Sequence, residues 1–241
     1  MSAQSTFARL ALTDGRAALV TVLTGPLAGE HLLLAADGSL DGGIGDPELE
    51  ARALESAREL LWAERSERRG ELFVDVVAPR PRLLIFGAVE YASHLSQHAR
   101  LAGWRPYVID PRAQFATRER FPHAVEVLTA WPREAIAKLG GIDPATYIAV
   151  LTHDPKIDDE VLLAALAASP AYIGAMGSRR AQQARRERLS EHGVSEADIG
   201  RISAPIGLDL GAVDAAEVAV SILAELIAQR HGHDGGRRWQ R

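Results

Sequence analysis

From Arg82 to Arg112 the chain carries an apolar run, Leu83-Leu84-Ile85-Phe86, into Gly87, then a helical segment, then Tyr107-Val108-Ile109 and the acid Asp110. No other stretch narrows the possible folds as far. An apolar run ending in glycine, a helix, and a second apolar run ending in an acid is the opening of a nucleotide-binding βαβ unit. There the first glycine makes the tight turn, the helix N-terminus receives phosphate, and the acid accepts from a ribose hydroxyl. The glycine pattern is incomplete. Its three positions hold Gly87, Val89 and Ala92, and Val89 sets a branched side chain where a pyrophosphate would approach the backbone.

Beyond Arg82 strands and helices alternate regularly, as in a parallel sheet. Strands are expected at 83–86, 106–109, 125–128, 146–151, 171–173 and 201–203. Helices are expected at 90–102, 133–139, 158–168 and 178–191, with a last helix from the Asp214…Glu217 capping spacing to about Arg230. Before Pro79-Arg80-Pro81 the pattern is different. A short helix at 5–13 precedes strands at 17–23, 31–35 and 72–77, a glycine-rich flexible connection at 42–45, and a helix from Asp46-Pro47 to about Glu67. The expected fold class is α/β: a Rossmann-like parallel sheet flanked by helices (82–230), a smaller N-terminal α+β domain (1–78), and a flexible tail (231–241).

Charge divides at the same place. Residues 1–80 hold 8 basic and 13 acidic residues, whereas 81–241 hold 19 of each, which argues against general nucleic-acid binding. The aromatic residues are scattered and offer no stacking platform. Cysteine is absent, which excludes disulfides, thiolate metal sites and sulfur relay through this chain. No apolar run suits a membrane span and no signal pattern opens the chain, so a cytoplasmic protein is expected.

In a parallel sheet the loops after the strands share one edge, and ligands bind in the crevice there. Those loops are dense in Gly, Ser, His, Asp, Lys and Arg. Gly87 follows the first strand; Asp110 and Arg112 follow the second. His153, Asp154, Lys156 and Asp158 follow 146–151, where His153 and Asp154 suit acid/base or ligand roles and Lys156 suits phosphate. The bland alternative makes Asp154-Pro155 a turn and Asp158 an N-cap. Gly174, Gly177, Ser178 and Arg179 form the strongest anion candidate, with glycines for close approach, Ser178 to cap and Arg179 or Arg180 to clamp. Gly207 and Asp209 lie in the last loop. Arg185, Arg186 and Arg188 read as a solvated helix face. Glu90, His94 and His98 share a helix face but lack a fourth ligand, so a packed or solvated face is the better reading.

The loops Asp110-Pro111-Arg112, Phe115-Ala116-Thr117, Arg120-Phe121-Pro122, Trp131-Pro132, Leu151 to Lys156 with Asp158, Tyr172 to Arg180 and Pro205 to Gly211 occur in order over about three fifths of the chain. In them the chain resembles the xanthine dehydrogenase accessory factor (XdhC/CoxI) family. The resemblance implies a C-terminal Rossmann-type domain and a role in maturing molybdenum hydroxylases. It implies a cofactor chaperone that binds molybdenum cofactor while a cysteine desulfurase supplies the sulfido ligand, then passes it to the apo-enzyme. At the N-terminal motifs the chain departs from the family. Thr24-Gly25-Pro26-Leu27-Ala28-Gly29 and Gly42-Gly43-Ile44-Gly45-Asp46 stand where the family has an arginine loop and a cysteine motif, so this is a divergent member.

Two other readings remain open from the residues. One is an NAD(P)-dependent oxidoreductase, with Asp110 on the ribose, His153 or Lys156 at the reacting carbon, and Arg112 leaving NAD against NADP undecided. The other is a non-catalytic ligand-sensing scaffold. A homodimer is expected, because the small acidic N-terminal domain would leave apolar surface if it packed alone.

Overall fold

Ser2 starts the first element, its hydroxyl accepting the Ser5 N–H to cap helix α1 (Ala3–Leu12). The computed structural model describes residues 2–233 and Gly235, and the backbone divides into two units, 1–80 and 81–241.

In the first unit, α1 is followed by β1 (Ala17–Val22), β2 (His31–Ala35), β3 (Leu40–Gly43), α2 (Pro47–Ala63), β4 (Glu67–Arg69) and β5 (Leu72–Val77). The strands form an antiparallel sheet in the order β3-β2-β1-β5-β4. β1 is nearly all apolar because both its faces are covered. Ala18, Val20 and Val22 pack with Leu49, Ala53, Ala57 and Leu60 of α2. Ala17 and Leu19 pack with Phe7 and Leu10 of α1. Two expectations are corrected. The supposed flexible connection holds the edge strand β3, in which a Cβ at Gly42 would stand 2.5 Å from the His31 carbonyl oxygen. Helix α2 ends at Ala63, short of Glu67, because Glu64 turns left-handed with φ +50° and pairs with buried Arg16 at 2.8 Å. The chain then forms β4.

The second unit runs β6 (Arg82–Phe86), α3 (Glu90–Leu101), β7 (Arg105–Ile109), β8 (Glu126–Leu128), α4 (Pro132–Lys138), β9 (Thr146–Val150), α5 (Pro155–Ala168), β10 (Tyr172–Ala175), α6 (Arg179–Glu191), α7 (Glu196–Ile199), β11 (Ile202–Ser203) and α8 (Ala215–Arg230). Its six strands are parallel, in the order β11-β10-β9-β6-β7-β8. This is the expected Rossmann-type α/β sheet. Leu83 and Ile85 bury toward the α3 and α8 face, while Leu84 and Phe86 bury toward the α4, α5 and α6 face. All four are fully buried, and each contributes about 1.5–3 kcal/mol by leaving water. β6 lies between β7 and β9, so the sheet grows in opposite directions from it and a crevice opens at the C-terminal edge. Helix α5 begins at Pro155, three residues before the expected start, because Asp154 caps it by accepting the Lys156 N–H at 3.0 Å. The expected flexible tail falls, at 234 and 236–241, outside the described residues.

Candidate functional site

The loops after β6 and β7 meet through Asp110. Its carboxylate is fully buried and accepts four N–H groups: Ala88 at 2.8 Å, and from Arg112 the backbone at 2.9 Å, Nε at 2.9 Å and Nη2 at 2.8 Å. That fills the acceptor capacity of a carboxylate. Burial works against the charged form, but the Arg112 guanidinium and the two backbone N–H groups outweigh it and hold Asp110 below the usual carboxylate range. The acid expected on a ribose is thus spent inside the protein, pinning the Gly87 turn. The Arg112 side chain stays partly exposed, with its guanidinium carbon 4.8 Å from the Phe115 ring centroid.

Next along the edge, Gly87 (φ +113°) backs onto Thr152 after β9. A Cβ there would lie 2.7 Å from the Thr152 methyl and 3.0 Å from its backbone nitrogen, so only glycine fits. The Thr152 hydroxyl donates to Asp158 at 2.5 Å and accepts the Asp154 N–H at 3.0 Å. Asp158 in turn faces Arg185 of α6, with 3.3 Å between Oδ2 and Nη2, and the same nitrogen donates to the Met176 carbonyl at 2.8 Å. Burial is the largest influence on Asp158. It raises the carboxyl above its ordinary value despite the Thr152 hydroxyl and Arg185.

Four loops are therefore joined in one run of contacts: Arg112, Asp110, Ala88 and Gly87, Thr152, Asp158, Arg185, Met176. Arg185 and Asp158 are 5% and 3% exposed, which corrects both the solvated-face expectation for Arg185 and the N-cap alternative for Asp158. The sequence carried a signal for this. Ala181, Arg185 and Leu189 recur every four residues, the spacing of a helix's inward stripe. Arg188 is also engaged, pairing with Asp159 at 2.6 Å.

The expected anion loop after β10 has its predicted local form. Ser178 caps α6 by accepting the Ala181 N–H at 3.3 Å, and Gly177 adopts φ +139°. Arg179 and Arg180 are exposed in the first turn. Gly174 serves packing, since a Cβ would stand 2.5 Å from the Tyr172 hydroxyl and 2.6 Å from Ile206. Gly207 (φ +101°) presses on α8, 2.5 Å from the Ser221 hydroxyl by the same test. Its N–H donates to Glu225 at 2.6 Å, and Glu225 also accepts from Tyr172 at 2.5 Å and from Ser203. Sequence reading missed Glu225, an acid in an apolar helical run.

Other candidates stand apart from that run. His153 and Asp209 are exposed. Lys156, in the first turn of α5, lines a groove of about 600 Å³ with Trp131, Arg133, Glu160 and His192. That groove is lined by residues of α4 and α5 and does not include the linked loop contacts. His94 and His98 have ring centroids 6.4 Å apart, and no group of three or more metal-ligating side chains occurs among the described residues. In the first unit a second groove, about 520 Å³, is lined by Thr24, Pro26, Leu27, Asp46 and Glu71. No helix among the described residues is long and apolar enough to cross a membrane.

The family model described as the XdhC Rossmann domain matches residues 83–226, and the XdhC and CoxI family model matches 10–72. The chain is 30% identical over 159 residues to a probable xanthine dehydrogenase subunit of Bacillus subtilis, covering 66% of this chain and 46% of that protein. It is 32% identical over 152 residues to the molybdenum cofactor insertion chaperone PaoD of Escherichia coli, covering 63% and 41%. It is also 30% identical to the uncharacterized Escherichia coli protein YqeB, covering 88% and 42%. The chain thus spans under half the length of these relatives. A crystal structure of a xanthine dehydrogenase from Bacillus halodurans shares the fold, with a TM-score of 0.65 and 24% identity over 94% of this chain and 66% of that one.

Proposed function

The chain belongs to the XdhC and CoxI family, and from that membership we propose that it is an accessory factor in the maturation of a molybdenum hydroxylase of the xanthine or CO dehydrogenase type. Its cargo is molybdenum cofactor, held for insertion into the apo-enzyme. The observation that carries this reading is the continuous, mostly buried run of contacts from Arg112 to Met176, which ties four loops together at the sheet edge.

The residues suit such a cargo. A phosphate-bearing pterin needs hydrogen-bond donors and cations beside a preorganised surface. The edge offers Arg112, Arg179 and turn N–H groups. Behind them lies buried Arg185, its Nη2 held by Asp158 and the Met176 carbonyl. The cargo supplies any redox chemistry; these residues bind, orient and shield it. Asp110 and Asp158 act from behind, holding Arg112 and Arg185 in place. Without cysteine the chain offers molybdenum no thiolate. In this reading the sulfido ligand comes from a separate cysteine desulfurase, in the cytoplasm, and the factor works as a homodimer.

Strand order alone also suits an NAD(P)-dependent oxidoreductase. The enclosure of Asp110 weighs against it, because the ribose acceptor is already saturated. Mixing the cofactor-loaded protein with an apo molybdenum hydroxylase tests the proposal. Activity should appear in proportion to the loaded protein added. Hydride transfer from NAD(P)H with no reconstitution would replace this reading by the oxidoreductase.

A further inference from the structure

Two acids, Asp159 and Glu160, and two cations, Arg133 and Lys156, line the α4–α5 groove, and they differ in what they present to solvent. Arg188 binds both carboxylate oxygens of Asp159, at 2.6 and 2.9 Å, and the Asp159 side chain is 14% exposed. Glu160 accepts the Arg133 backbone N–H at 3.0 Å and is 22% exposed. The Arg133 side chain, by contrast, is 78% exposed, its Nε 3.9 Å from that carboxylate. Lys156 is exposed, and both acids pair with arginines rather than with it. The charge the groove offers to a partner is therefore positive.

Beside these cations the groove carries Trp131, Pro155 and Leu163. Trp131 is 48% exposed, although it stands between buried Ala130 and Pro132. Exposed tryptophan beside arginine is the composition that supplies most binding energy at protein interfaces. The groove is shallow for its 600 Å³. A small molecule needs a site that covers most of its surface, whereas a polypeptide segment can lie along an open one. The groove also adjoins the joined loops of the sheet edge. Pro155 and Lys156 follow Asp154, whose N–H is held by the Thr152 hydroxyl.

We infer that this groove docks an acidic segment of the acceptor enzyme, with an apolar side chain against Trp131 and carboxylates on Lys156 and Arg133. The inference rests on the reading of the chain as a maturation factor and deepens it: the sheet edge holds the cargo, and the groove beside it holds the recipient. Attraction between opposite charges makes such docking sensitive to salt.

The test is surface plasmon resonance of the full chain on an apo molybdenum hydroxylase at low and high salt, for wild type, Trp131→Ala, Lys156→Glu and a control, Arg100→Glu. Arg100 is exposed on α3, across the sheet from the groove. Circular dichroism establishes folding, and molybdenum cofactor is titrated in parallel into wild type and Trp131→Ala. Trp131→Ala and Lys156→Glu should each weaken the complex by about tenfold or more, Lys156→Glu with a flatter dependence on salt. Arg100→Glu should bind the enzyme as wild type does, and Trp131→Ala should keep wild-type cofactor binding. If Trp131→Ala fails to fold, Lys156→Glu decides alone, because an acid is favourable in a first helical turn. Wild-type affinity in both folded variants overturns the inference, as does a wild-type chain whose binding ignores salt. Should Trp131→Ala turn a dimer into monomers at unchanged enzyme affinity, the groove is a contact between copies and the inference falls. Docking through the groove by a chain that captures no cofactor would uphold this inference and refute the cargo reading. Capture and transfer unaffected by both substitutions would do the reverse.

Discussion

Arg185 of α6 and Asp158 of α5 form a buried ion pair in which one guanidinium nitrogen alone meets the carboxylate, at 3.3 Å, while Thr152 holds the other carboxylate oxygen. Removing one partner of such a pair strands a charge in the interior. Arg185→Met should therefore destabilise the second unit by about 3–5 kcal/mol. The double variant Arg185→Met/Asp158→Leu should lose clearly less than the sum of the single changes. Urea unfolding of the three variants measures both; strict additivity would show that the two groups do not interact.

Asp158 also gives stability a pH dependence of defined sign. Its folded pKa is raised by burial above the ordinary value of 3.8. Between the unfolded and folded values the native state keeps a proton the unfolded chain has lost, so stability falls as pH rises through that window. Asp110 has the opposite sign: its pKa is lowered, so its contribution is present above 3.8 and is lost as pH falls through the folded value. Asp158→Asn should flatten the decline above 3.8 and leave the acid limb in place, as read by urea midpoints across pH.

Gly87→Ala should be among the most damaging small substitutions. The backbone sits at φ +113°, and the added carbon meets Thr152 at 2.7 Å. Left-handed strain alone costs about 1–3 kcal/mol, and the clash adds to it. Thermal unfolding should show a markedly lower midpoint; an unchanged one would mean that the turn and the Thr152 loop are not in contact.

Arg112→Ala takes two of the four donors from Asp110. The expected loss is about 1.5–3 kcal/mol, with Asp110 moving up toward an ordinary carboxylate pKa. Carboxyl carbon chemical shifts followed against pH would read that movement directly.

Glu225→Ala removes the acceptor shared by Tyr172, Ser203 and the Gly207 N–H. Protection from hydrogen exchange should drop in the 203–211 loop and stay unchanged at β6 and β7. Uniform protection would contradict the anchoring role.

The sheet was legible in the chain because its strands are buried on both faces and read as continuous apolar runs, Leu83–Phe86 above all. The glycines before α3 and α6 were legible for the same kind of reason, since only glycine reaches those backbone angles. Arg185 was not. Five arginines in α6 look like one solvated face, and only the Ala181-Arg185-Leu189 spacing marks the buried one. Asp110 was located, but its partner was misjudged, because a sequence motif shows that an acid ends a strand and does not show that Arg112, two residues on, folds back to fill it. Edge strands β3 and β4 escaped because they carry glycine and charge where interior strands carry apolar side chains.

Titration of the full chain with molybdenum cofactor and, in parallel, with NAD(P)H bears most directly on the central claim. The account predicts saturable binding of the cofactor, weakened by Arg179→Ala more than by Lys156→Ala because Lys156 faces the α4–α5 groove, and no comparable binding of NAD(P)H. Tight NAD(P)H binding with no cofactor binding would contradict it.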